Sequence, residues 1–328
     1  MARDRVTIND VARAANVSAM SVSRVLNGRP GVGKQTRKRI EEAVEELGFR
    51  PSALAVGFRQ GRLLGSVGMI IPRADPPLFS SLAAEIDERI ASAGLTTVMA
   101  SSGRNAERER SLARGFLAMG FEGLLLFSED DDHAYLQPEL DRGKSIVFLG
   151  SPPRNVRAPS VLVDNRAGAV DALGLLARRG HRRIAVVGSE ATYQASERVA
   201  GAREAMGDLA PAEVQVVTTE ITTEGGYRAG RSLLDAPGAP TGILCTNYLL
   251  TVGTLRAIRD SGRHVEVVSF DDFDTADLLT PPVSAISQDP HAIAEQASQL
   301  LLQGLDAGDR DAQVTTVTIH PRLLARGA

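Results

Sequence analysis

The sequence predicts a short all-α head joined to an α/β body of two doubly wound parallel-sheet subdomains. Three observations carry this prediction. Two short helical patterns abut across a two-residue link within the first 28 residues, and from about residue 63 apolar runs alternate with amphipathic stretches. The charge divides at the same boundary: residues 1–62 hold 12 Lys/Arg against 6 Asp/Glu, and the remainder holds 25 against 34. A head of +6 therefore precedes a body of -9, although the whole chain of 328 residues carries only -3. A basic head on an acidic body implies that only the head meets a polyanion.

The first helical pattern is Thr7 to Ala15, where Thr7 followed by Asp10 three residues later resembles a capping box. The second runs from a capping Ser18 through Val22, Val25 and Leu26, apolar at helical spacing, to Gly28. Asn16 and Val17 between them allow only a sharp turn. Two short helices so joined, the second with exposed polar groups, form a helix-turn-helix, whose second helix enters the DNA major groove. A third helix is predicted over about Lys34–Leu47, with Ile40, Ala43, Val44 and Leu47 on one face and Gly48 as its left-handed stop. The stretch Arg50 to Arg62 that follows is too short to be a domain and holds two glycines, which marks it as a hinge that orders only when something holds it.

In the body, Leu64–Ile71, Thr96–Ala100, Gly123–Phe127, Ser145–Leu149, Ile184–Val187, Val214–Val217, Ile243–Cys245 and Val265–Phe270 read as buried strands. Helical stretches at Leu82–Ala93, Ala106–Met119, Ala167–Arg178 and Leu249–Ser261 separate many of them. Such alternation means parallel sheets covered on both faces, with ligands at the carboxyl ends of the strands.

Composition excludes several classes. At 43% hydrophobic and 23% charged residues the chain can bury full cores. No apolar run approaches membrane-spanning length and the start lacks a signal core, so a cytoplasmic protein is expected. The single Cys245 lies in an apolar run, which suits a buried inert thiol. Gly28 to Gln35 mimics a phosphate-binding P-loop but puts Gln35 where a hydroxyl must hold Mg²⁺, and a helix precedes it. Glu129 to Asp132 with His133 lacks metal-ligand spacing and is expected to be a solvated loop. The polar pairs after strands, Asp164-Asn165 and Asp271-Asp272, suit hydroxyl groups of a small ligand as well as they suit acid-base chemistry. No motif names a cofactor, a metal or a nucleophile, and none is expected.

The order of Val6 to Ala12, Val17-Ser18, Val22 to Gly28, Thr36-Arg37, Leu47-Gly48-Phe49 and Pro51 resembles the DNA-binding head of the lactose/galactose repressor (LacI/GalR) family. The likeness continues through Val67 to Pro72, Glu122-Gly123-Leu124, Val163-Asp164-Asn165, Gly180 to Ile184, Arg198 to Gly201, Thr246-Asn247 and Phe270-Asp271-Asp272. It implies a head over residues 1–50, a hinge helix over 51–62, and a sensor over 63–328 resembling periplasmic sugar-binding proteins. The sensor's interleaved subdomains would span about 63–163 plus 288–313, and 164–287 plus 314–328.

The resemblance further implies a homodimeric repressor on a near-palindromic double-stranded operator, controlled by a small-molecule effector such as a sugar or sugar acid. In the head, Ala19 and Met20 would read bases, Ser18, Ser21 and Thr36 would contact phosphates, Arg24 would reach a base edge or phosphate, and Thr7 and Asn27 would complete the interface. Phe58 would be the apolar wedge that kinks the duplex from its minor groove. In the sensor, Leu78, Phe79, Arg198, Ile221, Asn247 and Asp271 would line the effector site. Departures from the family pattern include Tyr248 in place of an acidic residue, Ile221 where relatives stack an aromatic ring, and Gly57 within the hinge. The competing reading is a solute-binding protein of a transporter, which accounts for the body and leaves the head unexplained.

Overall fold

The computed structural model describes residues 6–26, 30–49, 65–209, 212–307 and 314–327. Asn27 and the whole hinge stretch with Phe58 lie outside the described residues. The chain divides into two compact units at Leu64–Gly65.

The first unit is three helices, α1 (Ile8–Ala14), α2 (Ala19–Leu26) and α3 (Lys34–Glu46). Asp10 closes the capping box by accepting from the Thr7 backbone N–H at 2.9 Å and from its hydroxyl at 2.6 Å. Ser18 caps α2, its hydroxyl accepting from the Ser21 N–H at 3.2 Å. The turn between them passes through Asn16 at φ 52, a left-handed position that asparagine tolerates. Val11, Ala12, Ala15, Val22, Val25, Ile40 and Ala43 form one small core. Gly33 precedes α3 without a side-chain cap, and Gly48 ends it at φ 59.

The second unit holds two six-stranded sheets. The chain first lays down β1 (Ser66–Ile71), α4 (Pro77–Ser92), β2 (Thr96–Ser101), α5 (Ala106–Ala118), β3 (Gly123–Leu126), α6 (Gln137–Leu140), β4 (Ser145–Leu149) and β5 (Ser160–Val163). It then crosses and builds α7 (Asn165–Arg178), β6 (Arg183–Gly188), α8 (Tyr193–Ala205), β7 (Glu213–Thr218), α9 (Thr223–Asp235), β8 (Gly242–Cys245), α10 (Tyr248–Ser261), β9 (Glu266–Phe270) and β10 (Ser284–Ser287). It crosses back for α11 (Pro290–Ala307) and β11 (Thr316–Ile319), and crosses a last time to β12 (Arg322–Leu324).

The sheet orders are β11-β5-β4-β3-β1-β2 and β12-β10-β9-β8-β6-β7, parallel throughout except that β12 runs antiparallel to β10. Strands β3, β4 and β8 are buried at every residue, as both faces of a helix-covered parallel sheet require. Cores lie on the first sheet, where α4 and α11 contribute Ile86, Ile90, Ile293 and Leu301, and against both faces of the second.

Two expectations need correction. The stretch from residue 314 is expected in the second subdomain, yet β11 pairs with β5 in the first sheet and only β12 joins the second. Ile319 packs on the first core, which holds β11 there. The chain end after His320 forms the edge strand β12, with Leu323 packed on the second sheet's core.

The acidic loop also differs from expectation. Asp130 and His133 are buried, and they join Ser128 and Glu109 of α5, which is 0% exposed, in one hydrogen-bonded network. The Arg154 N–H donates to His133 Nδ1 at 2.8 Å, so the neutral ring carries its proton on Nε2, 2.7 Å from Ser128 Oγ. The Ser128 hydroxyl in turn donates to Glu109, and Arg110 forks onto Asp130. Burial pushes the Glu109 carboxyl up and the His133 imidazole down from their ordinary values. A run of charges reads as solvated only while partners from other elements are invisible.

Candidate functional site

Two regions gather the residues singled out in the sequence. In the three-helix unit, α2 turns Val22 and Val25 into the core and leaves Met20 (69% exposed) and Arg24 on the outside. Ser18 and Thr7 are exposed, while Ala19, Ser21 and Thr36 are half-buried. The helix thus offers one long apolar and one cationic side chain four residues apart on a single face. Arg24 lies against the turn into α3, where a Cβ on Gly31 would approach its Nη1 to 3.2 Å.

In the second unit the order β2-β1-β3 reverses direction between β1 and β3, and β7-β6-β8 does so between β6 and β8. Crevices at such switch points, beyond the carboxyl ends of the strands, hold the ligands of open parallel sheets. Arg198 of α8, which follows β6, is 5% exposed there. Its Nε donates to Asn165 Oδ1 at 2.7 Å and its Nη1 to the Thr246 carbonyl at 2.8 Å. The guanidinium carbon stands 3.7 Å from the centroid of the Phe270 ring. Asp271 Oδ2 is 3.8 Å from Nη1, so the hydrogen-bonded acceptors are neutral and the carboxylate acts from a distance. Burial pushes the Arg198 pKa down, and only partly does Asp271 push it back.

Asp271 itself is strained, at φ 79 without being glycine. Its N–H donates to the Ile286 carbonyl at 2.9 Å and its carboxylate accepts from Gln288, which together hold this conformation. Asp271 and Gln288 line a cavity of about 180 Å³ with Pro77, Leu78, Ser81 and Phe273. Both lobes and the crossing after β10 therefore meet at one cavity.

Of the six residues expected at this site, Asp271 stands beside Arg198 and shares the cavity lining with Leu78. Asn247 follows Thr246 and caps α10, its Oδ1 accepting from the Leu249 N–H at 2.9 Å. Phe79 packs on the first core edge-to-face with Phe127, ring centroids 5.2 Å apart, and Ile221 is buried just before α9. Asn165 belongs to a strand-end pair singled out in the sequence, whereas sequence reasoning missed Thr246 and Gln288 as participants. Their signal was available in the polar residues placed directly after β8 and β10. No three His, Cys, Asp or Glu side chains converge as a metal site among the described residues.

Comparison with known proteins decides between the readings. Residues 7–52 match the family model for bacterial regulatory proteins of the lacI family, and residues 173–328 match a periplasmic binding protein-like domain. An uncharacterized HTH-type transcriptional regulator in the aml 5' region of Streptomyces limosus is 31% identical over 335 residues, covering 97% of this chain and 93% of that protein. The chain belongs to the lacI family. As a lacI-family member it is a transcriptional regulator and not an enzyme, and a transporter's solute-binding protein would not carry the matched head. Two solved structures share the fold over 98% of this chain. The regulator CelR in complex with cellobiose is 26% identical with a TM-score of 0.70 over 99% of its own length. The Lac repressor dimer bound to operator and the anti-inducer ONPF is 23% identical with a TM-score of 0.77 over 98% of its length.

Proposed function

We propose that this lacI-family regulator is a cytoplasmic homodimeric repressor that reads a near-palindromic operator through α2 and answers to a small-molecule effector in the cleft beyond β6 and β8. The buried Arg198 carries the effector reading. A buried guanidinium bonded mainly to neutral groups contributes little stability, and replacing such groups with apolar ones is often neutral or better. Its role is then to bind, and Asp271, Asn247 and Gln288 supply the acceptors and donors that suit a hydroxylated ligand.

For DNA, Met20 contacts bases through apolar surface, a thymine methyl being its natural partner, while Arg24 offers the fork that favours guanine. Ala19 lets the helix approach closely, and Thr7, Ser18, Ser21, Asn27 and Thr36 hold the backbone phosphates. Phe58 of the hinge wedges the central step. Dimerisation is supported by apolar groups exposed on the second unit, Val98 and Met99 on the edge strand β2 and Leu278 and Leu279 before β10.

The experiment is selection of bound sequences from a random DNA library with the full chain, followed by footprinting. A protected site with two inverted halves, lost steeply as salt rises, is expected. Protection without symmetry at low salt overturns the dimeric reading.

A further inference from the structure

Among the described residues of the three-helix unit, Met20 is the one large apolar side chain left exposed. Val22 and Val25 of the same helix build the small core, and Ala19 and Leu26 pack against it, whereas Met20 takes no part. Of the described methionines Met20 is also the most exposed, at 69% against 36–45% for Met99, Met119 and Met206 of the second unit, while Met69 is buried. A thioether needs no deprotonation to act as a nucleophile, so access decides which methionine is oxidised. Arg24 stands one helical turn on along the same face, where neighbouring Cβ atoms lie about 5–6 Å apart. Among the described residues, the ion pairs of this unit join Arg13 to Asp10 and Lys38 to Glu42, which leaves Arg24 without a carboxylate partner.

Resting on the reading of α2 as the helix that enters the operator, we propose that Met20 is a redox modification site, at which a peroxide converts the thioether to the sulfoxide and releases the protein from its operator. The sulfur attacks one peroxide oxygen, an S–O bond forms as the O–O bond breaks, and the other oxygen leaves as water. The sulfur gives up two electrons and the peroxide takes them. Two effects then act on one helix face. The apolar surface that suits a thymine methyl becomes polar. The new oxygen is also a strong acceptor within reach of Arg24, so it draws the guanidinium fork away from the base edge and onto its own helix. Sulfoxide reductases restore the thioether, which makes the release reversible.

The test treats the full chain with graded hydrogen peroxide and measures its affinity for the operator recovered by selection. Peptide mass spectrometry follows the sulfoxide at each methionine. Affinity should fall by about tenfold or more in step with the Met20 sulfoxide, the scale of a lost base contact, and return after treatment with methionine sulfoxide reductases. A half-oxidised wild-type sample divided on immobilised operator assigns the effect: Met20 sulfoxide should be depleted from the bound fraction more strongly than sulfoxide at Met99, Met119 or Met206. Met20→Leu, compared with its own untreated sample, should hold its affinity through the same treatment. Affinity unchanged at full Met20 oxidation, a Met20 that stays reduced while Met99 is oxidised, equal Met20 sulfoxide in both fractions, or an equal loss in Met20→Leu overturns the proposal. Should Met20→Leu bind too weakly to follow, the division of the wild-type sample decides alone. Untreated protein that binds no operator sinks the reading of α2 on DNA, whereas binding that withstands Met20 oxidation sinks only this proposal.

Discussion

Arg198 shows how far a single side chain can be read from sequence. Its place in the motif Arg198-Val199-Ala200-Gly201 was legible, and so was the acidic partner at Asp271. Its hydrogen-bond acceptors were not, because Asn165 and Thr246 arrive from β5 and β8, and nothing in local spacing says which strand ends meet. The network around His133 was hidden for the same reason, with Glu109 reaching it from another helix. For Arg198→Ala the expected outcome is loss of the effector response with operator affinity unchanged. A titration of operator complex against any effector active on the wild type measures this, and an unaltered midpoint would remove Arg198 from the pocket.

Elements differed in how openly they declared themselves. The apolar runs of β1, β3, β4, β6 and β8 are buried on both faces and stand out against the polar segments between them. The strands β10, β11 and β12 are three or four residues long, and alternation over so few residues cannot be told from a loop. Helix α9 carries Gly225-Gly226 in its first turn and includes Gly230, residues that normally signal a turn. Here they let α9 and α10 pack closely. A Cβ on Gly226 would come within 2.5 Å of the Leu250 carbonyl oxygen, and one on Gly253 within 2.5 Å of the Tyr227 nitrogen. Gly253→Ala should therefore cost about 1–3 kcal/mol despite its better helix propensity. Thermal unfolding should show a drop of several degrees, and an unchanged melting temperature would mean that the helices separate at no cost.

Across the whole molecule, the boundary between head and body was written in charge and periodicity, and the separation of the two compact units at Leu64–Gly65 lies beside it. The family resemblance also supplies a prediction for the segment between them. Phe58→Ala should weaken specific operator binding by far more than non-specific binding, since only the kinked specific complex uses the wedge. Competition titrations with operator and random duplex measure both, and equal losses would deny Phe58 that role. The acidic body leaves salt-dependent attraction to the head alone.

The three crossings between the sheets have a mechanical consequence. β5 and β11 are neighbours at one edge of the first sheet, and β10 and β12 at one edge of the second, so every crossing runs along the same side of the body. The Asp164 N–H bonds the Ile319 carbonyl at 2.9 Å, and Arg322 meets Asp289 at 3.3 Å, tying the crossings to one another. Three linked strands on one side resist sliding and twisting but leave an axis free to bend. A ligand in the cavity beside the crossing after β10 would act close to that axis, and a small change in the angle between lobes would become a larger displacement at their far surfaces.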